Sequence, residues 1–210
     1  MPVENSTATP PNPAADGDSA ALRRSLRSAR IAAREALAPP ERERRTAQIE
    51  AGLDTLIGEL APPSLAFCWP WRGEVDLVPW VSRWLAGDVA RRAALPVVVE
   101  AAAPMVFRRW QPGMGLEVDR HGIPCPAEGE VLVPAAILVP LNVFDGMGYR
   151  LGYGGGYFDR TLAALDPPPL GIGVAFELAR AETVFPQPHD APMDWIVTEA
   201  GVLRVPAGPR

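Results

Sequence analysis

The sequence predicts an α/β fold: a three-layer α/β/α Rossmann-like single domain with a largely parallel sheet. Two observations carry this reading. Short apolar runs bounded by Pro and Gly alternate with segments whose apolar residues recur at helical spacing, the pattern of strands joined by covering helices. A chain of 210 residues with 48% hydrophobic content is also long enough to bury one substantial core, and its length favours one domain over two.

In order, residues 1–19 are rich in Pro, Asn, Ser, Thr, Asp and Ala and lack the apolar centre of a signal peptide, so they read as a disordered tail before a domain at 20–210. Between residues 21 and 37, Leu22, Leu26, Ala29, Ala33 and Leu37 form one stripe of an amphipathic helix, with Arg23, Arg27, Arg30 and Arg34 beside it. Pro39-Pro40 ends that helix, and Pro40-Glu41 suits the first turn of a second running to about residue 60. Residues 65–69 read as a buried strand, 70–74 as a turn and 77–85 as a helix. Further strands are expected at 95–99, 105–110, 136–139, 171–176 and 195–198, with a helix at 156–165. The stretch 112–134 carries few periodic apolar positions and reads as a long excursion over the surface.

Composition removes several functions. The net charge of −5 and pI near 5.1 oppose binding of nucleic acid through the overall field, but leave room for a small anionic ligand. All 20 basic residues are arginine, so a Walker-type phosphate lysine and a Schiff-base lysine are both impossible. Cys68 and Cys125 lie far apart without metal or redox spacing and read as reduced thiols. No run of 18 apolar residues without a charge suggests a membrane span, and the expected compartment is the cytoplasm.

The chemistry concentrates after the apolar run 136–141. Asn142-Val-Phe-Asp-Gly146 leads into Gly148-Tyr-Arg-Leu-Gly-Tyr-Gly-Gly-Gly-Tyr-Phe-Asp-Arg160, which reads as strand, turn, glycine-rich loop and helix start. Gly154, Gly155 and Gly156 let the backbone adopt φ > 0 and approach a ligand closely, with N–H groups available to phosphate near a helix N-terminus. A plain glycine turn would show the same triplet. Arg150 and Arg160, which bracket the loop, and Asp159, a hard oxygen ligand suited to Mg²⁺, favour a phosphate cradle.

These residues resemble the 5-formyltetrahydrofolate cyclo-ligase family, marked by a strand ending in proline, then Phe-Asp, then Arg-Leu-Gly-x-Gly-x-Gly-Tyr-Tyr-Asp-Arg. Pro140, Phe144-Asp145 and residues 150–160 match nearly throughout. The likeness extends to Arg23-Arg-Ser-Leu-Arg27, Gly73-Glu-Val-Asp76, Phe107-Arg-Arg109, Gly122-Ile-Pro124, His189-Asp190 and Val197-Thr-Glu199, covering roughly residues 20–200. It implies an enzyme of one-carbon folate metabolism that closes 5-formyltetrahydrofolate to 5,10-methenyltetrahydrofolate, with ATP as co-substrate and Mg²⁺ as cofactor. The formyl oxygen would attack the γ-phosphate, and N10 would then attack the activated carbon. Such chemistry needs positioning and charge neutralisation rather than a catalytic nucleophile, and none is expected.

Carried over by position, the resemblance assigns Arg23, Arg24, Arg27, Arg150, Leu151, Gly152, Tyr153, Gly154, Gly155, Gly156, Tyr157 and Phe158 to ATP. Trp69 and Glu74, with Tyr153 to Tyr157, fall to the folate, and Asp159 and Asp190 to the metal. A carboxylate bonding pterin N–H groups beside an aromatic wall is chemically apt. Simpler roles compete: a solvated helix face for the arginines, above all Arg30 and Arg34; a helix cap for Asp159; a turn with Asp76 as N-cap around Glu74; and a hydrogen-bonding loop residue in His189. Two departures from the pattern are Arg where the first helix often has Lys, and Phe158 in place of the second tyrosine. The implied partners are small molecules, without nucleic acid or membrane, and the chain is expected to be a monomer or weak homodimer. Other readings are a sugar-phosphate or thioester enzyme on the same sheet, a folate-binding paralogue without catalysis, and an RNA-binding Gly-Tyr segment.

Overall fold

The computed structural model describes residues 13–206. Four helices are present among them, α1 (Pro13–Glu35), α2 (Pro39–Leu60), α3 (Val78–Ala86) and α4 (Tyr157–Ala164). The strands, in chain order, are β1 (Ser64–Ala66), β2 (Arg92–Val97), β3 (Val106–Trp110), β4 (Leu116–Val118), β5 (Pro124–Pro126), β6 (Ala136–Pro140), β7 (Val143–Phe144), β8 (Arg150–Leu151), β9 (Leu170–Val174), β10 (Trp195–Thr198) and β11 (Gly201–Arg204). Seven of them form one sheet in the order β11-β10-β9-β6-β1-β2-β3. Its centre, β10-β9-β6-β1-β2, is parallel throughout, and each edge is closed by an antiparallel strand.

The central strands β6, β9 and β10 bury both faces, so they read as continuous apolar runs. In β6, Ala136 and Leu138 point into a core shared with Ile49, Leu53 and Leu56 of α2 and Trp80 and Val81 of α3, while Ile137 and Val139 point to the other side, toward Phe107, Phe144 and Met193. The second core is lined by Phe158 and Leu162 of α4. This period-two division of one strand between two cores produces the three layers.

The expected α/β/α architecture is therefore present, with local differences. Helix α1 starts at Pro13, so residues 13–19, read as tail, extend the helix; residues 1–12 of the expected tail lie outside the described residues. Extending an established helix is cheap compared with nucleating one, and proline is tolerated in its first turn. The excursion at 112–134 contains the β4–β5 hairpin, whose buried Cys125 packs inward, and its last part pairs with β3 through Arg109 N–H to Glu130 O (2.8 Å) and Leu132 N–H to Phe107 O (3.0 Å). It thereby covers an edge that would otherwise present unpaired backbone. The glycine loop is fed by the β7–β8 hairpin, not directly by β6.

Candidate functional site

In sequence order the sheet runs outward from β1 to β2 and β3, then resumes on the other side of β1 with β6, β9 and β10. The order reverses between β1 and β6, and the crevice beyond their carboxyl ends is where open α/β sheets receive ligands. Here β1 leads through Cys68 and Trp69 to Glu74, β6 leads to Asn142, and β9 to Ala175 and Phe176. Helix α1 docks beside them with Leu26 against Val143 and Leu151, which turns its arginine stripe onto the crevice.

The glycine loop and its charges form one half of the site. Asp145 is buried and organises the hairpin turn: Oδ1 accepts from Met147 N–H (3.0 Å) and Tyr149 N–H (3.1 Å), and Oδ2 from Val184 N–H (3.3 Å). Gly154 and Gly156 have φ of +95° and +64°, conformations that favour glycine. Gly155 does not, which corrects the expectation of left-handed backbone across the triplet; its close neighbour is the Tyr157 ring, 2.8 Å from where a Cβ would stand. Gly156 begins α4 with no side-chain cap. Arg27 Nε donates to Gly152 O (2.6 Å), tying α1 to the loop, while Arg160 donates to Gly155 O and keeps its buried Nε without a protein partner.

Below the loop, buried Arg150 donates to Asp159 Oδ1 (3.0 Å) and to Ala191 O. Burial pulls the Arg150 pKa below the ordinary arginine value, with Asp159 and Asp190 opposing the shift. Asp159 lies in the first turn of α4, yet its Oδ1 accepts from Arg150 and from Ala191 N–H (3.1 Å), and Oδ2 accepts no hydrogen bond from the described residues. The helix-cap role is thus not the one it takes. Asp190 has both oxygens engaged by Arg23 (2.6 and 3.2 Å), and Oδ2 also accepts from Gln187 N–H (2.8 Å). Burial works to raise the Asp190 pKa, but the Arg23 and Gln187 donors outweigh it and hold the carboxyl below its usual range. His189 stands 3.8 Å away and is largely exposed. Arg24 is exposed and makes no hydrogen bond or ion pair among the described residues, so it brings only its charge, felt at Arg27. Leu151 and Phe158 serve as packing residues, and Tyr157 stacks edge-on against His121 at 5.7 Å.

The other half surrounds Glu74, which is only 7% exposed. Its Oε1 accepts from Tyr153 OH (2.9 Å) and its Oε2 from Trp71 N–H (3.1 Å). Burial raises the Glu74 pKa, while Arg34, Tyr153 and the Trp71 N–H pull against it. The Tyr153 phenol is itself pushed up by burial and by the neighbouring carboxylate. Arg34, expected on a solvated face, is 4% exposed and central: it donates to Asn142 Oδ1 (2.8 Å), Tyr153 OH (3.0 Å) and Arg72 O (3.1 Å), with Glu74 Oε1 at 3.9 Å. Trp69, half-buried, packs on the core that includes Phe67, Val75 and Leu77.

The model of the 5-formyltetrahydrofolate cyclo-ligase family matches residues 19–199. The chain belongs to this family. It is 28% identical to the 5-formyltetrahydrofolate cyclo-ligase of Escherichia coli K12 over 80% of its own length and 96% of that protein's. A solved 5,10-methenyltetrahydrofolate synthetase from Aquifex aeolicus superposes with a TM-score of 0.76 at 32% identity, covering 90% of this chain and 95% of that one. A second, from Mycoplasma pneumoniae, gives 0.68 at 23% identity over 84% and 98%, a likeness of fold. The cyclo-ligase family makes this chain an enzyme, a ligase of folate one-carbon metabolism acting on small molecules.

For a cyclo-ligase the donor set limits what can be held. Among the described residues no three His, Cys, Asp or Glu side chains converge as a metal cage, and no helix is long and apolar enough to cross a membrane. Mg²⁺ commonly takes one or two carboxylates together with substrate phosphates, and the free Oδ2 of Asp159 fits that use. Asp190 is instead committed to Arg23. Sequence reasoning missed Arg34, although its spacing from Arg23, Arg27 and Arg30 continues the same helical face, and Asn142, which no pattern singled out.

Proposed function

We propose that this crevice closes 5-formyltetrahydrofolate to 5,10-methenyltetrahydrofolate in an ATP- and Mg²⁺-dependent reaction that releases ADP and phosphate. The observation that carries the reading is the junction of two unlike half-sites through Tyr153: its backbone belongs to the glycine loop, and its hydroxyl bonds Glu74 at 2.9 Å. A nucleotide on the loop and a folate ring on Glu74 would therefore meet across one residue.

Arg23, Arg27 and Arg150, with the loop N–H groups, would hold the triphosphate, fixed in place by Asp190, by Gly152 O and by Asp159 respectively. Arg160, with an unpartnered Nε, lies on the same side. Asp159 Oδ2 would hold Mg²⁺, which supplies charge neutralisation at the transferring phosphoryl group. Glu74 would accept from the ring N–H groups and Trp69 would wall the ring. Orientation of the formyl oxygen toward the γ-phosphate then supplies most of the acceleration, because no covalent nucleophile is required. We place the reaction in the cytoplasm, in a monomer or weak homodimer, and the net charge of −5 supports the absence of a nucleic-acid partner.

The test is an assay that follows ADP and the methenyl chromophore together. Both should form only when ATP, Mg²⁺ and 5-formyltetrahydrofolate are all present. Chromophore formation at the same rate without ATP would overturn the reading.

A further inference from the structure

A buried amide lines the hollow around Glu74 with its nitrogen unpartnered. Asn142 is 2% exposed, and its Oδ1 accepts from Arg34 Nη1 at 2.8 Å, which fixes the orientation of the amide because a guanidinium can only donate. Its Nδ2 is fully buried and has no hydrogen-bond partner. Leaving such a donor unpaired forfeits its hydration without compensation, so a partner is expected when the site is at work. Arg34 ties this amide to the folate side: the same guanidinium donates to Tyr153 OH at 3.0 Å and approaches Glu74 Oε1 at 3.9 Å. Asn142, Arg34 and Glu74 line one hollow, with Val75, Val174 and Phe176 as its apolar walls.

We propose that Asn142 is a specificity-determining residue of the folate subsite, its Nδ2 donating to the C4 carbonyl oxygen of the pterin while Glu74 accepts from the adjacent N3–H and 2-amino groups. This rests on the assignment of Glu74 to the ring. The chemistry of the ring edge supplies the rest. A 2-amino-4-oxo ring presents donor, donor and acceptor in sequence, and a carboxylate can satisfy only the two donors. Glu74 retains acceptor positions for them, since a carboxylate has about four and the protein uses two. The acceptor that follows needs a donor in the same hollow, and Asn142 Nδ2 is one. Arg34 keeps the amide from turning over and presenting its oxygen.

The experiment compares pteroylglutamate with its 4-amino-4-deoxy counterpart, in which the C4 acceptor has become a donor. Affinities for both are measured by calorimetry on the wild-type protein, on Asn142→Asp and on Asn142→Leu. The aspartate keeps shape and its bond to Arg34 but offers an acceptor where Nδ2 was. The ratio of oxo to amino affinity should fall by roughly tenfold or more in Asn142→Asp. In Asn142→Leu, of similar size, the oxo compound should weaken and the amino compound hold its affinity. Thermal unfolding identifies which variants are folded, and either one suffices. An unchanged ratio in a folded variant that binds both compounds overturns the proposal and leaves Nδ2 to a structural water. Failure of the wild-type protein to bind either compound would instead overturn the folate assignment on which it rests.

Discussion

The two halves of the site are built on opposite principles. The glycine loop half is made of backbone and of arginines each held by an oxygen: Arg23 by Asp190, Arg27 by Gly152 O, Arg150 by Asp159. It presents positive charge to an anion, and at Arg27 and Arg150 burial opposes that charge, with Asp159 and Asp190 offsetting part of the cost at Arg150. The Glu74 half joins a buried carboxylate, the Tyr153 phenol, the Asn142 amide and the buried Arg34 guanidinium in one hydrogen-bonded cluster. There burial raises the carboxyl pKa, and hydrogen bonds from neighbours compete with that rise. One half recognises charge at a distance, and the other recognises a pattern of donors and acceptors at contact. Mutations should therefore separate them by ligand.

The largest effect is expected from Asp159→Asn. The amide oxygen can still accept from Arg150 and Ala191 N–H, so the fold should persist, while an NH2 group in place of the free oxygen removes both the charge and the metal ligand and should lower turnover by on the order of 100-fold and raise the Mg²⁺ requirement. Folate binding should hardly move. Titration of activity against Mg²⁺ gives the answer, and ordinary turnover at limiting Mg²⁺ would leave Asp159 as a partner of Arg150 only.

The mirror-image probe is Glu74→Gln. Loss of a charge-assisted contact should weaken folate binding by about 10- to 150-fold, equivalent to roughly 1.5–3 kcal/mol, with ATP affinity in the absence of folate unchanged. Stability carries a second sign. Because burial raises the folded pKa of Glu74, the folded protein retains a proton that the unfolded chain has already released, so this group lowers stability as pH rises from the ordinary carboxylate value through the folded value. Above that range its cost is constant. Unfolding midpoints of Glu74→Gln should therefore gain on the parent as pH is raised above the ordinary carboxylate value of about 4. A constant difference would mean that the carboxyl titrates as if in water.

Within the loop, Gly156→Val and Gly155→Val distinguish backbone demand from simple crowding. Gly156, at φ +64°, should lose about 1–3 kcal/mol of stability as well as ATP affinity. Gly155 has no such backbone demand, and its substitution should act through displacement of the Tyr157 ring, with a smaller change in the unfolding midpoint. Equal losses at both positions would show that the loop is sensitive to volume alone.

The same contrast explains what the sequence made legible. The loop half depends on local chain features, a glycine triplet between arginines and an aspartate after a strand and turn, and local features survive projection onto a line. Even so, which glycines take positive φ depends on how the hairpin from Val143 to Leu151 enters the loop, and this could not be read from the triplet. The α/β/α layers were legible because β6 and its neighbours bury both faces. The Glu74 half joins residues far apart in the chain: Arg34 and Asn142 are separated by 108 positions. On α1, Arg34 shows the same period as solvated arginines, and only the docking of Leu26 on the β7–β8 hairpin decides that this stripe is covered. Asp190 carried a recognisable motif, yet its engagement by Arg23 required the end of the chain to meet its beginning.

The smallest effect, and the one that tests the junction between the halves, is Tyr153→Phe. The change removes one oxygen that donates to Glu74 at 2.9 Å and accepts from Arg34 at 3.0 Å, while the ring, the loop backbone and the bond from Arg27 to Gly152 O are kept. ATP affinity should therefore be unaltered. Folate affinity should fall by about 2- to 13-fold, the worth of one hydrogen bond of about 0.5–1.5 kcal/mol. Direction in pH makes the test sharper than magnitude. The Tyr153 hydrogen bond is one of the contacts that pull the Glu74 pKa down against burial, so without it the carboxyl holds its proton to higher pH. If ionised Glu74 accepts from the folate ring, the pH at which folate affinity declines on acidification should move upward in Tyr153→Phe, with the plateau at high pH lowered only modestly. A downward shift, or a loss of ATP affinity equal to the loss of folate affinity, would place the Tyr153 hydroxyl in the nucleotide half and break the division between the two.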